Sequence, residues 1–173
     1  MSFDYKNLDQ ETRNEMGVEI SNDINNNQLY LSDRLSPKGI ADYPELLKQA
    51  TYHYDALWLA KQLVQETRLL PMVNTARGPK KVPSNAATTL AEGEFNRYYM
   101  RGLCRIAIIN NVNVEVYRAK SVDNARILSQ HKVGQVIDPK ILLNDLRENI
   151  GVDTALGLPS GPNSGLSIKL IDN

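Results

Sequence analysis

The feature that most constrains this chain is a long helical pattern over residues 85–109. Ser84, which follows Pro83, can cap the start of this helix. Apolar residues recur along one face at helical spacing: Leu90, Phe95, Tyr99, Leu103, Ile106 and Ile109. The pattern predicts the longest helix of the chain.

The first 70 residues predict a small helical unit. Helical patterns cover residues 8–26 and 53–67, and Pro37 marks another helix start between them. Pro44 is expected to begin a further turn or helix. The apolar stripe of residues 8–26 is sparse, which indicates a helix at the periphery of the domain.

Beyond the long helix, the pattern changes to strands. Residues 112–120 alternate apolar and polar side chains, and so do residues 166–171, so the two segments can pair as half-buried strands. A helix over 124–131, a strand within 133–138 and a helix capped by Asp138 are expected between them. The inner face of this last helix is expected to hold Ile141, Leu142, Leu143 and Leu146. The fold class is therefore α+β, with a helical N-terminal half, a long central helix and a small, mostly antiparallel sheet in the C-terminal half.

The charge of the chain is zero overall but unevenly distributed. Residues 1–70 hold 7 Lys/Arg against 11 Asp/Glu, residues 71–120 hold 8 against 3, and residues 121–173 hold 5 against 6. The basic middle segment either forms a surface for a partner or packs against the acidic N-terminal part.

The segment 71–83 differs from its surroundings. It holds three prolines, a glycine and the basic residues Arg77, Lys80 and Lys81. Because this composition cannot form a helix, it predicts a loop or an extended arm. The chain is thus divided into an acidic helical segment over 1–70, this arm, and an α+β core over 84–173 that forms one domain with the first segment.

A stripe of charged residues follows another face of the long helix. Glu94, Arg97, Arg101 and Arg105 are spaced at i, i+3, i+7 and i+11. Arginine favours flat bidentate acceptors such as carboxylate and phosphate. The stripe therefore contacts either carboxylates, from the acidic N-terminal helices or a neighbouring subunit, or the phosphates of a nucleic acid.

The chain offers few groups for catalysis. Its one cysteine, Cys104, excludes an internal disulfide and is interpreted as a buried thiol. His53 and His131 lie on separate segments. An enzyme would have to use Cys104 with a histidine, or Glu94 with Arg97 in a cleft. No metal framework or cofactor motif is present, so no cofactor is expected.

No segment approaches 18 apolar residues, and the first residues show no basic region followed by an apolar run. We therefore expect no membrane partner, and a location in the cytoplasm or in a virion assembled there. Residues 157–166, "GLPSGPNSGL", are rich in Gly and Pro, but their spacing matches neither a phosphate-binding loop nor a nucleophile elbow. They are expected to form a tight turn or a contact loop between subunits.

The block "AATTLAEGEFNRYYMRGLCRIAIINNVNVEVYRAK", residues 86–120, resembles the helix-to-strand core of head-morphogenesis proteins, the minor head proteins of tailed phages. The residues that match the family pattern are Thr89, Glu94, Asn96 and Arg97. The cysteines and aspartates that often follow in that family are absent here. The rest of the chain is similar to a family of bacterial and phage proteins. The resemblance implies a capsid-associated protein and assigns no catalytic role.

The sequence favours a structural or interaction protein in a macromolecular assembly, most specifically a phage or phage-like virion component. Its partners would be other protein subunits, either further copies of the chain or different proteins. Contacts would come from Arg97, Arg101 and Arg105 and from the arm. The alternative is a small nucleic-acid-binding or regulatory protein, and the third is an enzyme that uses Cys104 or Glu94.

Overall fold

The computed structural model of the chain describes residues 2–123, 125–150 and 164–171. The helices of these ranges are α1 (Gln10–Asn25), α2 (Pro37–His53), α3 (Ala56–Val64), α4 (Ala86–Asn110), α5 (Ile127–Gln130) and α6 (Pro139–Glu148). The strands are β1 (Met72–Thr75), β2 (Gly78–Lys81), β3 (Val114–Arg118), β4 (Val136–Ile137) and β5 (Leu166–Leu170). The α+β class with a long central helix is confirmed. Residues 157–163 of the expected turn or contact loop lie outside the described residues.

Side-chain caps fix where several helices begin. Asp9 accepts a hydrogen bond from the backbone of Thr12 at 2.8 Å, and Asp55 accepts one from Trp58 at 2.7 Å. The cap at Asp55 separates α3 from α2, so the helix expected over 53–67 is shorter than the pattern suggests. Pro44 does not begin a new helix, because α2 continues through it.

The central element is α4, which packs against α1, α3, α6 and β5. Every residue from Glu94 to Cys104 is buried, so this part of the helix is covered all round and not on one face alone. Two residues expected in the core are not there: Ile109 is 71% exposed near the end of α4, and Ile141 is 69% exposed in the first turn of α6.

The first helix is not peripheral, contrary to the expectation from its sparse apolar stripe. Met16 and Ile20 are fully buried, and so is Glu19. The backbone of α1 lies so close to α4 that a Cβ atom added at Gly102 would be 2.8 Å from the Met16 nitrogen. Buried charge, together with a close backbone approach, holds α1 on α4.

The C-terminal sheet has the order β4-β3-β5, and both pairings are antiparallel. Val116 lies opposite Ile168, so the expected pairing of the two alternating segments is confirmed. The sheet is attached to α4 through Asn96, which donates to the Leu166 carbonyl at 3.0 Å and accepts from the Ser167 hydroxyl at 2.7 Å.

Residues 72–81 form a β-hairpin, called here the basic hairpin, where the sequence predicts an irregular loop or arm. β1 and β2 pair antiparallel, with Thr75 opposite Gly78 across a turn at Ala76 and Arg77. Gly78 has φ +102°, a left-handed backbone conformation that favours glycine and allows the chain to reverse here. Each strand has three exposed residues and one half-buried residue, so the hairpin packs mainly on itself.

We expect Gly102→Ala to destabilise the protein by about 1–3 kcal/mol, because the added methyl group meets the backbone of α1. The loss should occur although alanine is the better helix former. Denaturant unfolding measures it, and Thr88→Ala, at an exposed position of the same helix, is the control, with a change within about 0.5 kcal/mol. A Gly102→Ala protein as stable as the unmodified one would contradict the close approach of the two helices.

Candidate functional site

Arg101 lies at the centre of a buried ion-pair cluster between α1 and α4. Its guanidinium group donates two hydrogen bonds to the Asp23 carboxylate, at 2.6 and 2.8 Å, and its Nε donates to Glu19 at 2.9 Å. The Tyr98 hydroxyl donates to the same Asp23 carboxylate at 2.7 Å. Because only 2% of the Arg101 side chain is exposed, this guanidinium is engaged inside the fold.

Glu19 joins this cluster to a third helix. Arg147 of α6 donates to both of its carboxylate oxygens, at 2.5 and 3.0 Å, and Arg105 of α4 contacts it at 3.3 Å. Arg105 also pairs with Glu15, one turn earlier on α1. Burial opposes the ionisation of Glu19, but hydrogen bonds from Arg147 and Arg101 hold its pKa below the ordinary value. The ion-pair cluster is the set Glu15, Glu19, Asp23, Arg101, Arg105 and Arg147.

Arg97 contacts the end of another helix. Its guanidinium donates to the backbone carbonyls of Leu146 at 3.2 Å and Asn149 at 2.8 Å, at the C-terminal end of α6. Its Nε lies 3.5 Å from Oε1 of Glu94. Carbonyls at a helix C-terminus have no partner within the helix, so a cation placed there is stabilising. Arg97 therefore fastens α6 to α4.

The arginine stripe contacts carboxylates of the acidic N-terminal segment, which is one of the two kinds of contact that the sequence allows. Arg101 and Arg105 both pair with side chains of α1. The side chains of Arg97 and Arg101 are thereby used within the molecule and are not presented to an outside partner. The uneven charge of the sequence is in part an internal complementarity between α1 and α4.

The cations of the basic hairpin are arranged differently. Lys80 and Lys81 are consecutive strand residues and point to opposite faces, and Arg77 lies in the turn. Within the described ranges, the side chains of these three residues form no hydrogen bond or ion pair, and residues 71–83 contain no carboxylate. The hairpin therefore presents three exposed positive charges, an arrangement that can bind an anionic surface.

A cavity of about 210 Å³ lies beside the N-terminal half of α4. Glu94 lines it and is only 5% exposed. Its Oε2 atom is buried and has no hydrogen-bond partner among the described residues. Burial raises the pKa of Glu94 to about 7, although the nearby Arg97 guanidinium acts in the opposite direction. A buried carboxyl group with a strongly raised pKa beside a cavity is a candidate functional group.

The segment 30–34, which joins α1 to α2, contributes Tyr30, Ser32, Asp33 and Arg34 to the lining of this cavity. The sequence reasoning did not identify these residues. They belong to no motif and no periodic pattern, so only the folded chain brings them beside α4.

The other groups considered for catalysis lie on different elements of the fold. Cys104 is fully buried in α4, and burial raises the pKa of its thiol. His53 and His131 are exposed, at the end of α2 and just after α5. Among the described residues, no three His, Cys, Asp or Glu side chains are grouped to hold a metal ion. No helix in this part of the chain has both the length and the apolar character needed to cross a membrane.

Comparison of the chain with protein-family models, with curated proteins and with solved structures finds no match. The resemblance of residues 86–120 to minor head proteins therefore stays a prediction from sequence. Of the residues that carry it, Thr89 and Glu94 line the cavity, Asn96 binds β5 and Arg97 contacts α6.

We expect Glu94→Gln to change the pH dependence of stability. Folded Glu94 keeps its proton up to about pH 7, whereas an ordinary glutamate ionises near pH 4.5. Between these values the folded state binds more protons than the unfolded state, so the free energy of unfolding falls as the pH rises. The fall is about 3 kcal/mol for this one group. Glutamine cannot ionise, so the free energy of unfolding of the variant should not show this fall.

Urea unfolding between pH 5 and pH 8 measures this effect. The charged groups that act on Glu94 are Arg97 and Arg101 from α4 and Asp23 from α1, and all three are kept in the variant. The difference in stability should move in favour of Glu94→Gln as the pH rises. Glu45→Gln, at an exposed carboxylate, is the matched control and should show no such trend. A difference that stays constant with pH would show that Glu94 is already ionised at pH 5.

Proposed function

We propose that this chain is an interaction protein of a macromolecular assembly, in which the basic hairpin binds an acidic surface of another protein subunit. The observation that carries the proposal is the contrast between two sets of cations. The arginines of α4 bind groups inside the fold, while Arg77, Lys80 and Lys81 are exposed and have no acidic neighbour in residues 71–83.

A hairpin of this kind suits a contact between chains. Its strands bury little of their surface on the body of the molecule, so much of it remains for a partner to cover. Its exposed charges favour an encounter with an acidic partner and discriminate against a basic one. The most specific form of this proposal, a virion or capsid-associated component, rests on the resemblance of residues 86–120 to minor head proteins.

Nucleic-acid binding is the second candidate, and the shape of the hairpin favours it. A two-stranded β-ribbon fits the major groove of DNA. Here the ribbon carries cations on both faces and at its tip, where phosphates would meet them. The overall charge of zero gives the molecule no wider basic field, so we place this candidate second.

The test compares a hairpin variant with a matched surface variant. Arg77→Glu/Lys80→Glu/Lys81→Glu reverses the charges of the hairpin, and Lys61→Glu/Arg126→Glu/Lys140→Glu makes the same change in net charge at exposed positions elsewhere. Each tagged protein is purified from its native cells at low and at high salt, with and without nuclease, and its mass is measured by light scattering.

We expect the unmodified chain and the surface variant to be recovered at low salt in a complex of defined mass that survives nuclease. The hairpin variant should be recovered without this complex.

A complex that dissociates on nuclease treatment would support nucleic-acid binding instead. A nuclease-resistant complex kept by the hairpin variant would overturn the role of the hairpin.

A further inference from the structure

The cavity beside α4 has no lining residue from the basic hairpin, and an inference about it does not depend on the proposed function. It measures about 210 Å³. Sites for drug-sized ligands measure roughly 300–1,000 Å³, so an occupant of this cavity would have few non-hydrogen atoms. The side chains of Leu90, Met100 and Leu146 give part of the wall an apolar character.

The carboxyl groups of the wall leave little negative charge beside the cavity. Glu92 accepts hydrogen bonds from the Lys120 ammonium group at 2.6 and 2.7 Å, so this pair is neutral. Burial raises the pKa of Glu94 to about 7, so this carboxyl group keeps its proton at lower pH. Asp33 is exposed, and solvent and salt screen its charge.

Two guanidinium groups outweigh the charge of Asp33. Arg97 binds the backbone carbonyls at the end of α6. The half-buried side chain of Arg34, by contrast, forms no hydrogen bond or ion pair with the described residues. Its N–H donors therefore remain for a ligand, and their flat, forked arrangement fits the two oxygens of a carboxylate.

Hydroxyl groups add neutral donors to the same wall. Oγ of Ser32 accepts a hydrogen bond from the Arg34 backbone at 3.3 Å, and its own O–H has no acceptor among the described residues. The half-buried Thr89 side chain likewise forms no hydrogen bond within these residues. Donors thus line the cavity from the segment 30–34 and from α4, which together describe a site for an oxyanion.

We propose that this cavity is a binding site for a small aliphatic carboxylate, held by the guanidinium group of Arg34. The hydroxyl groups of Ser32 and Thr89 can donate to the same carboxylate, while its hydrocarbon part lies against the apolar side chains of the wall. A phosphate suits the site less well, because it brings more negative charge and no apolar part to a wall with one uncommitted guanidinium among the described residues.

Glu94 makes this binding depend on pH. When it loses its proton, a negative charge appears in the wall beside that of the ligand, and like charges repel. The charged and titratable groups that act on Glu94 or line the cavity with it are Asp23 on α1, Asp33 and Arg34, Tyr43 on α2, and Glu92, Arg97, Tyr98 and Arg101 on α4. Burial raises the pKa of both tyrosines, so they stay neutral between pH 6 and pH 8.

The test uses three probes of similar size with the full chain: propionate, the neutral propionamide and the cationic propylammonium. Their charges do not change between pH 6 and pH 8. Binding is followed by saturation-transfer NMR at constant ionic strength in a buffer without carboxylate. The proteins are the unmodified chain, Arg34→Met, Glu94→Gln and the matched control Arg126→Met, which removes an exposed arginine elsewhere. Circular dichroism checks that each variant folds.

At pH 6 we expect saturable binding of propionate that is at least tenfold tighter than binding of the other two probes. Arg34→Met should weaken it at least tenfold, and Arg126→Met should leave it unchanged. The affinity of the unmodified protein for propionate should fall between pH 6 and pH 8 as Glu94 ionises. Glu94→Gln stays neutral at both values, so its affinity should not change with pH.

Absence of saturable propionate binding to the unmodified protein would overturn the proposal. Unchanged binding by Arg34→Met would overturn the role of its guanidinium group. If Arg34→Met did not fold, the probes would decide, since equal affinity for propionamide and propionate would show that no cation selects the ligand. An affinity of the unmodified protein that is constant between pH 6 and pH 8 would reject the role of Glu94.

Discussion

The described structure depends on one buried carboxylate, Glu19, and the three guanidinium groups that surround it. Arg101 and Arg105 reach it from α4 and Arg147 from α6, so a single side chain of α1 joins three helices. Taking ions out of water costs several kcal/mol each, and this cost is offset only when geometry and hydrogen bonding are good. Here Asp23 completes the pairing of Arg101 through two hydrogen bonds. The cluster therefore determines how α1 and α6 are placed on α4.

This internal pairing changes the meaning of the charge pattern. The sequence is acidic at the front and basic in the middle, which favours contact between opposite charges without saying whether they belong to the same molecule. On α4 they do, because Arg101 and Arg105 pair with α1. The cations of the basic hairpin do not pair in this way: among the described residues, Lys80 and Lys81 have no carboxylate partner. The surface that remains for an outside partner is thus the hairpin.

Local patterns predicted most of the elements. The alternation over 112–120 and 166–171 predicted β3, β5 and their pairing, and the helical spacing over 85–109 predicted α4 within a residue at each end. The basic hairpin was missed because its turn, Ala76 and Arg77, lacks the Asn-Gly or Asp-Gly signal, and its prolines argue against strands. The burial of α1 was not predicted, because a pattern of apolar residues does not show which charged side chains are buried. The cavity arises from segments distant in sequence, which no local pattern brings together.

The arginines of α4 are bound within the fold, whereas the cations of the hairpin have no side-chain partner among the described residues. The most direct test compares the free energies of unfolding of Arg101→Met and Arg77→Met, which remove the same charge from the two sites. Arg101→Met leaves Glu19 and Asp23 buried with less compensation, so we expect a loss of about 3–5 kcal/mol. Arg77→Met, at an exposed position, should change stability by less than about 0.5 kcal/mol. Equal, small losses in the two variants would show that Arg101 does not hold the helices together.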